Sequence, residues 1–288
     1  MCLDPGRESF IRFLGKEKLV CCLLILLDAS SPSSASVSPS LYEFVQENGR
    51  TFHKYKQGKY FLPNDEREQD RLAEENPESE VLGIDLSPIQ PDYLPPNCRF
   101  EIDDIEDDWV FSNKFDYIHG RYLLPFIKKD WDLVFKSIYD NLNPGGWVEF
   151  QETIIYFQSI DQSIEGTALQ RWNALLLEGI QKMGRSATEA LRCKKYLAKA
   201  GFVNLGEKRF AVPMNPWAKG KDQKTVGAMQ MVNNLEGIDG ITMTVFTRSL
   251  GWSPSDVEEL LVDVKRDMKD RNIHAYITLV VAWGQKPF

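Results

Sequence analysis

The sequence predicts an α/β fold: a largely parallel sheet with helices on both faces. Three observations carry that reading. Short apolar runs recur at residues 81–85, 98–102, 115–119 and 147–151. Segments with apolar residues at helical spacing stand after them, at 131–142, 167–180 and 188–200. Strands that alternate with helices of ~10–15 residues build a parallel sheet of βαβ units. The chain then ends on a β-branched apolar run, 275–283, after a helix at 254–268. With the strand that leads from Gly201 toward Phe210, this makes the antiparallel edge that many such sheets carry.

Each element has a local reason. Residues 19–27, behind Lys16 and Lys18, are continuously apolar, as a strand buried on both faces is. A secretory signal has a similar outline. Here Asp4, Glu8 and Glu17 crowd the segment before the run and Asp28 follows it, so the run is read as a strand. Residues 30–36, rich in serine, read as a linker. Tyr42, Phe44 and Val45 have the spacing of a short helix, stopped at Glu47-Asn48-Gly49-Arg50. Asp65 with Glu68 opens another helix in capping-box fashion, which runs to Glu75 and is limited by Pro77. Trp131, Val134, Phe135, Ile138 and Leu142 line one face of a helix, and Pro144-Gly145-Gly146 breaks it before the next strand. Ser253 or Ser255 caps the helix at 254–268.

Composition excludes several classes. The 288 residues are 43% hydrophobic and 26% charged, ordinary values for a globular chain and not for a disordered or fibrous one. Lys and Arg number 34 against 42 Asp and Glu, and a net charge of -8 argues against a partner held by general phosphate attraction, so no nucleic acid is expected. No run reaches the ~18 apolar residues of a membrane span. The five cysteines, Cys2, Cys21, Cys22, Cys98 and Cys193, are odd in number and irregular in spacing. That suits reduced thiols, and without a C-x-x-C pair no metal site is expected.

In an open parallel sheet, ligands bind beyond the carboxyl ends of the strands. Asp85 ends the first strand of the body, where a carboxylate can accept from both hydroxyls of a ribose; it also suits a helix cap before Pro88. The acidic stretch 103–108 follows the second strand and reads either as a solvated loop or as a place where one aspartate meets an adenine amino group. His119-Gly120-Arg121-Tyr122 ends the third strand, where His119 can serve as a base or be structural.

The ordered set Val81-Leu82-Gly83-Ile84-Asp85-Leu86-Ser87-Pro88, the acidic stretch, Phe115-Asp116-Tyr117-Ile118-His119 and Leu142-Asn143-Pro144-Gly145-Gly146-Trp147 resembles the successive motifs of class I S-adenosylmethionine-dependent methyltransferases. Residues 47–50 and 62–66 resemble the leading segment of one branch, the LaeA-like methyltransferase-domain proteins of filamentous fungi, which are implicated in control of secondary metabolism. The resemblance covers about 42–288. It implies a Rossmann-like methyltransferase sheet and S-adenosyl-L-methionine as cofactor. Asp85, with Leu86 beside it, would hold the ribose, and Asp104 the adenine amino group, with Ile105 against the ring. His119 and Arg121 would stand near the sulfonium as the catalytic candidates. It further implies an unknown methyl acceptor, a regulatory protein partner, and placement in the cytoplasm or nucleus.

One family motif is absent. The first strand and its Glu/Asp-x-Gly-x-Gly loop should precede Ala73, yet the leading helix runs straight through Leu72-Ala73. The expected division is therefore 1–40, an apolar run and linker outside the family fold; 41–72, the leading segment; and 73–288, an incomplete methyltransferase domain with a helical insert at 214–251. A run such as 19–27 could fill the vacant central place, with Asp28 and the small residues after it standing in for the loop. Three functions stay open: an active methyltransferase, a catalytically dead scaffold, and the product of a truncated gene model. Met214, Trp217, Met229, Met231 and Met243 of the insert suit an adaptable acceptor pocket or plain packing.

Overall fold

A computed structural model describes residues 22–28, 44–47, 50–53, 79–85, 96–124, 127 and 130–288. The expected helix at 65–75, the linker at 30–36, the Leu72-Ala73 junction and Leu86 lie outside the described residues. In chain order the strands are β1 (Cys22–Asp28), β2 (Phe44–Glu47), β3 (Arg50–His53), β4 (Ser79–Asp85), β5 (Cys98–Ile102) and β6 (Phe115–Arg121), then β7 (Leu142–Thr153), β8 (Gln158–Ser159), β9 (Val203–Pro213) and β10 (Ala275–Gln285). All but β2 and β3 join one sheet in the order β5-β4-β1-β6-β7-β10-β8, with β9 also paired to β10. β4 with β5, and β6 with β7, are parallel; β10 is antiparallel to β7, β8 and β9. The expected α/β class holds, with the antiparallel edge at the carboxyl end of the chain.

The central place between β4 and β6 is filled by β1. Its direction differs from the expectation. β1 is antiparallel to both neighbours: Cys22 faces Arg121, while Asp28 faces Ser79 at the amino end of β4. Asp28 therefore stands at the opposite edge from Asp85 and does not take the place of the glycine-loop carboxylate. The physical reason is that an antiparallel strand satisfies the N–H and C=O rows of its neighbours as well as a parallel one. An unbroken apolar run such as Leu23-Leu24-Ile25-Leu26-Leu27 carries no signal for direction.

Two further expectations change. Of the short helix expected at 41–45, the described residues Phe44 and Val45 are instead strand: β2 pairs with β3 from Phe44↔His53 to Glu47↔Arg50. Asn48 and Gly49 separate the last pair, and that dipeptide is a stronger signal for a hairpin than for a helix stop. The strand expected at 147–151 extends to Leu142–Thr153 and includes Pro144-Gly145-Gly146. Gly145 sits at φ 81, and its N–H donates to the Lys286 carbonyl at 2.9 Å, so this turn binds the end of the chain as well as ending a helix.

The helices are α1 (Trp131–Asn141), α2 (Ala168–Lys182), α3 (Cys193–Ala200), α4 (Lys221–Val245) and α5 (Pro254–Lys269). Asp130 caps α1 and Thr167 caps α2, each accepting a backbone N–H, and Ser253 with Asp256 forms a full capping box on α5. Gly201 ends α3 in the left-handed region at φ 100. One core places α1 and α3 against the sheet, through Phe135, Ile138, Leu197, Ile118, Val148 and Phe150. A second joins α2, α4 and α5 through Trp172, Leu176, Val245, Phe246, Val257 and Leu261. The segment expected as a helical insert is α4 with a π turn, Phe246–Leu250. Met214 is wholly buried in the second core, Met243 packs against it, and Trp217 Nε1 donates to the Ala275 carbonyl at 2.8 Å, so these three residues pack. Met229 and Met231 are half-buried.

Candidate functional site

The pairing registers set the geometry of the carboxyl edge. Leu23 of β1 faces Ile84 on one side and Gly120 on the other. The next residues, Asp85 and Arg121, therefore stand level at that edge, two strand spacings or about 10 Å apart. Asp85 also pairs with Ile102, and its carbonyl accepts the Asp103 N–H at 3.1 Å, which carries β5 past the edge beside it.

The stretch after β5 is more than a solvated acidic loop. Asp107 and Asp108 are exposed, but Asp104 and Glu106 are buried. Asp104 Oδ1 accepts the Glu106 N–H at 3.0 Å, and the Asp104 N–H donates to Asp103 Oδ1 at 2.7 Å. The Ile105 carbonyl accepts Trp109 Nε1 at 3.0 Å, while its side chain packs on the sheet core. Asp85, Asp104 and Ile105 thus end adjacent parallel strands, with Asp104 held by its own turn.

On β6 the alternation sends Ile118 toward α1 and places His119 and Arg121 on the other face. His119 and Arg121 are both buried, and so are their partners across the parallel register, Glu149 and Gln151 of β7. His119 Nδ1 lies 3.8 Å from Glu149 Oε1, and 3.5 Å from the Tyr117 hydroxyl. Gln151 Nε2 donates to the same Glu149 oxygen at 2.9 Å. After Arg121 the chain turns sharply. Tyr122 adopts φ 51, an uncommon conformation for a residue with a side chain, and donates its N–H to the Gln151 carbonyl at 3.1 Å. The Arg121 guanidinium lies 5.3 Å from the centre of the Tyr122 ring, which packs against the α2–α4–α5 core.

Glu152 holds the far side of this turn. Its Oε1 accepts the Leu123 N–H at 2.9 Å. Burial pushes its carboxyl up to about 8, against the opposing pull of the Leu123 and Leu124 N–H groups and of Arg121. Burial, then the charges of Glu152 and Glu207, raise the Cys193 thiol well above its ordinary value, which makes it a poor nucleophile.

The structure thus sets Asp85, Asp104, Ile105, His119 and Arg121 along one edge. Glu149, Gln151 and Glu152 were missed at the level of sequence. Glu149 and Gln151 alternate with Val148 and Phe150, a pattern that reads as one polar, solvated face. Burial of β7 on both faces belongs to the tertiary packing alone. No described helix is long and apolar enough to cross a membrane.

In an open α/β sheet of this kind, the carboxyl edge of the strands is where ligands bind. Residues 67–207 match the model of a methyltransferase-domain family. The chain is 33% identical to methyltransferase pytC of Aspergillus terreus over 305 aligned positions, covering 91% of this chain and 94% of the relative. It is 29% identical to the secondary metabolism regulator laeA of Aspergillus fumigatus, covering 88% of this chain and 80% of that one. Among solved structures it is similar to phosphoethanolamine N-methyltransferase 2 of Haemonchus contortus in complex with S-adenosyl-L-methionine, at 17% identity and a TM-score of 0.37, over 67% of this chain and 38% of that one. The chain belongs to the methyltransferase-domain family, whose cofactor is S-adenosyl-L-methionine. The 305 positions aligned with pytC exceed the 288 residues of this chain, so that relative carries residues with no counterpart here.

Proposed function

We propose that this chain binds S-adenosyl-L-methionine along the edge formed by β4, β5 and β6 and passes its methyl group to an acceptor linked to secondary metabolism. One observation carries the reading: Asp85 and Arg121 stand level at that edge, with the Asp104 turn directly beside Asp85. The chemical fit is specific. A half-exposed carboxylate at a strand end suits the ribose hydroxyls. Asp104, fixed by the Glu106 N–H, suits the adenine amino group, and Ile105 the ring face. His119 and Arg121 belong to the reactive end, His119 as a base and Arg121 as a fixed positive charge. When bound, the cofactor supplies an electrophilic methyl group, and positioning then does most of the catalytic work. Tyr122 joins this edge to the α2–α4–α5 helices, which supports 214–251 as the cover of the acceptor side and 73–288 as the body of the domain.

A second reading is favoured by β1. Its reversed direction and the missing glycine loop leave the cofactor's amino-acid end without the loop that holds it in this family. The same shell then serves as a scaffold for a regulatory protein partner, in the cytoplasm or nucleus; the laeA relative is named a secondary metabolism regulator. Isothermal titration with S-adenosylhomocysteine separates the two readings. The enzyme reading expects binding that weakens in D85N and D104N. No heat of binding at millimolar ligand retires it in favour of the scaffold.

A further inference from the structure

We propose that Glu149, held by Gln151, is a positioning residue that keeps the His119 proton on Nδ1 and leaves Nε2 as the proton-accepting nitrogen. This rests on the reading of His119 as the base at the reactive end. His119 and Glu149 are register partners on adjacent parallel strands, Gln151 stands two residues along from Glu149, and all three are buried. A neutral imidazole carries one N–H, and which nitrogen holds it is decided by its partners. The carboxylate stands on the Nδ1 side at 3.8 Å, and the Gln151 amide, 2.9 Å from the same oxygen, fixes where that negative charge sits. Among the described residues, the other titratable or charged groups beside this pair include Tyr117 and Arg121 on β6, and Glu152 on β7, which interacts with Arg121. The Tyr117 hydroxyl can either accept from Nδ1–H or donate to Nδ1 and so does not choose the tautomer. Arg121 opposes a positive ring, which makes the carboxylate the group that sustains it. When Nε2 takes a proton from an acceptor's O–H or N–H, the imidazolium gains one positive charge and Glu149 balances it, as a carboxylate does behind the histidine of a hydrolase triad.

The chain has three histidines, His53, His119 and His274, so nitrogen-15 spectra of the labelled full-length protein resolve each ring, with H119Q as the assignment variant. The expected result is a Nδ1–H tautomer for His119 in the parent. In E149Q its titration midpoint falls by about one pH unit or more and the proton moves to Nε2, while His274 is unchanged. E149D restores most of the shift. The same tautomer and midpoint in the parent and E149Q overturn the proposal. If circular dichroism shows E149Q unfolded, Q151A is read instead: a smaller fall in the midpoint supports the proposal and an unchanged one overturns it. Titrating the same samples with S-adenosylhomocysteine keeps the two readings apart. Lost binding with the coupling intact defeats the proposed function only, and intact binding without the coupling defeats this inference only.

Discussion

Two regions bury polar side chains, and they do so differently. Among the helices beyond β10, several such groups bond to a neighbouring element. Trp172 Nε1 on α2 donates to Thr242 on α4 at 2.8 Å. Asn173 exchanges two bonds with the Phe157 backbone, at 2.7 and 3.0 Å. Asn215 Nδ2 donates to the Met268 and Asp270 carbonyls, and Asp267 accepts the Leu169 N–H at 3.1 Å. These are neutral groups or a single carboxylate on a backbone donor, and they act as staples. At the edge of β6 and β7 the buried groups are a histidine, an arginine and two glutamates. A buried charge costs far more than a buried amide. The contrast teaches that these bonds tie the helices together, while the sheet edge gathers buried ionisable groups side by side.

The largest test of that contrast is Glu152. Its carboxyl titrates near 8 in the folded protein against an ordinary value of 4.5. Because the folded value is raised, the stability it confers is fully present below pH 4.5 and erodes as pH rises toward 8. Urea unfolding of the parent and E152Q from pH 5 to 8 should show the difference moving in favour of glutamine, by about 3–4 kcal/mol. A pH-independent difference would mean that Glu152 is no more than another staple. Next, W172A removes a buried ring and its hydrogen bond to the Thr242 hydroxyl, which still donates to the Ile238 carbonyl at 2.6 Å. It should cost ~3–5 kcal/mol of stability while leaving S-adenosylhomocysteine affinity of the folded fraction within a factor of two; a large loss of affinity would join the two regions. D85N should do the reverse, weakening that ligand by ~10- to 100-fold in calorimetry, with an unfolding midpoint close to the parent's. The smallest effect is S253A, which removes the α5 cap and should cost ~1 kcal/mol in the same denaturation assay without touching ligand binding.

Much of this was legible in the residues themselves. Local rules act over a few positions, so Thr167, Ser253 and Gly201 mark helix ends before any fold is known. The strand ends could be read the same way, and with them Asp85, Asp104, His119 and Arg121 as the residues of one edge. Asn48-Gly49 was also legible as a hairpin signal, but the aromatic spacing of Tyr42, Phe44 and Val45 competes with it as a helix.

What the sequence alone determined, then, is the alternation of strand and helix, their caps and breaks, and which side chains close each strand. Only the tertiary structure decided that β1 fills the centre of the sheet in reverse, because backbone pairing is satisfied in either direction and an apolar run does not choose between them. Only it decided that Glu149, Gln151 and Glu152 are buried beside His119 and Arg121. Burial is a property of what covers a strand, and the alternation of Val148-Glu149-Phe150-Gln151 is the same whether the second face meets water or protein.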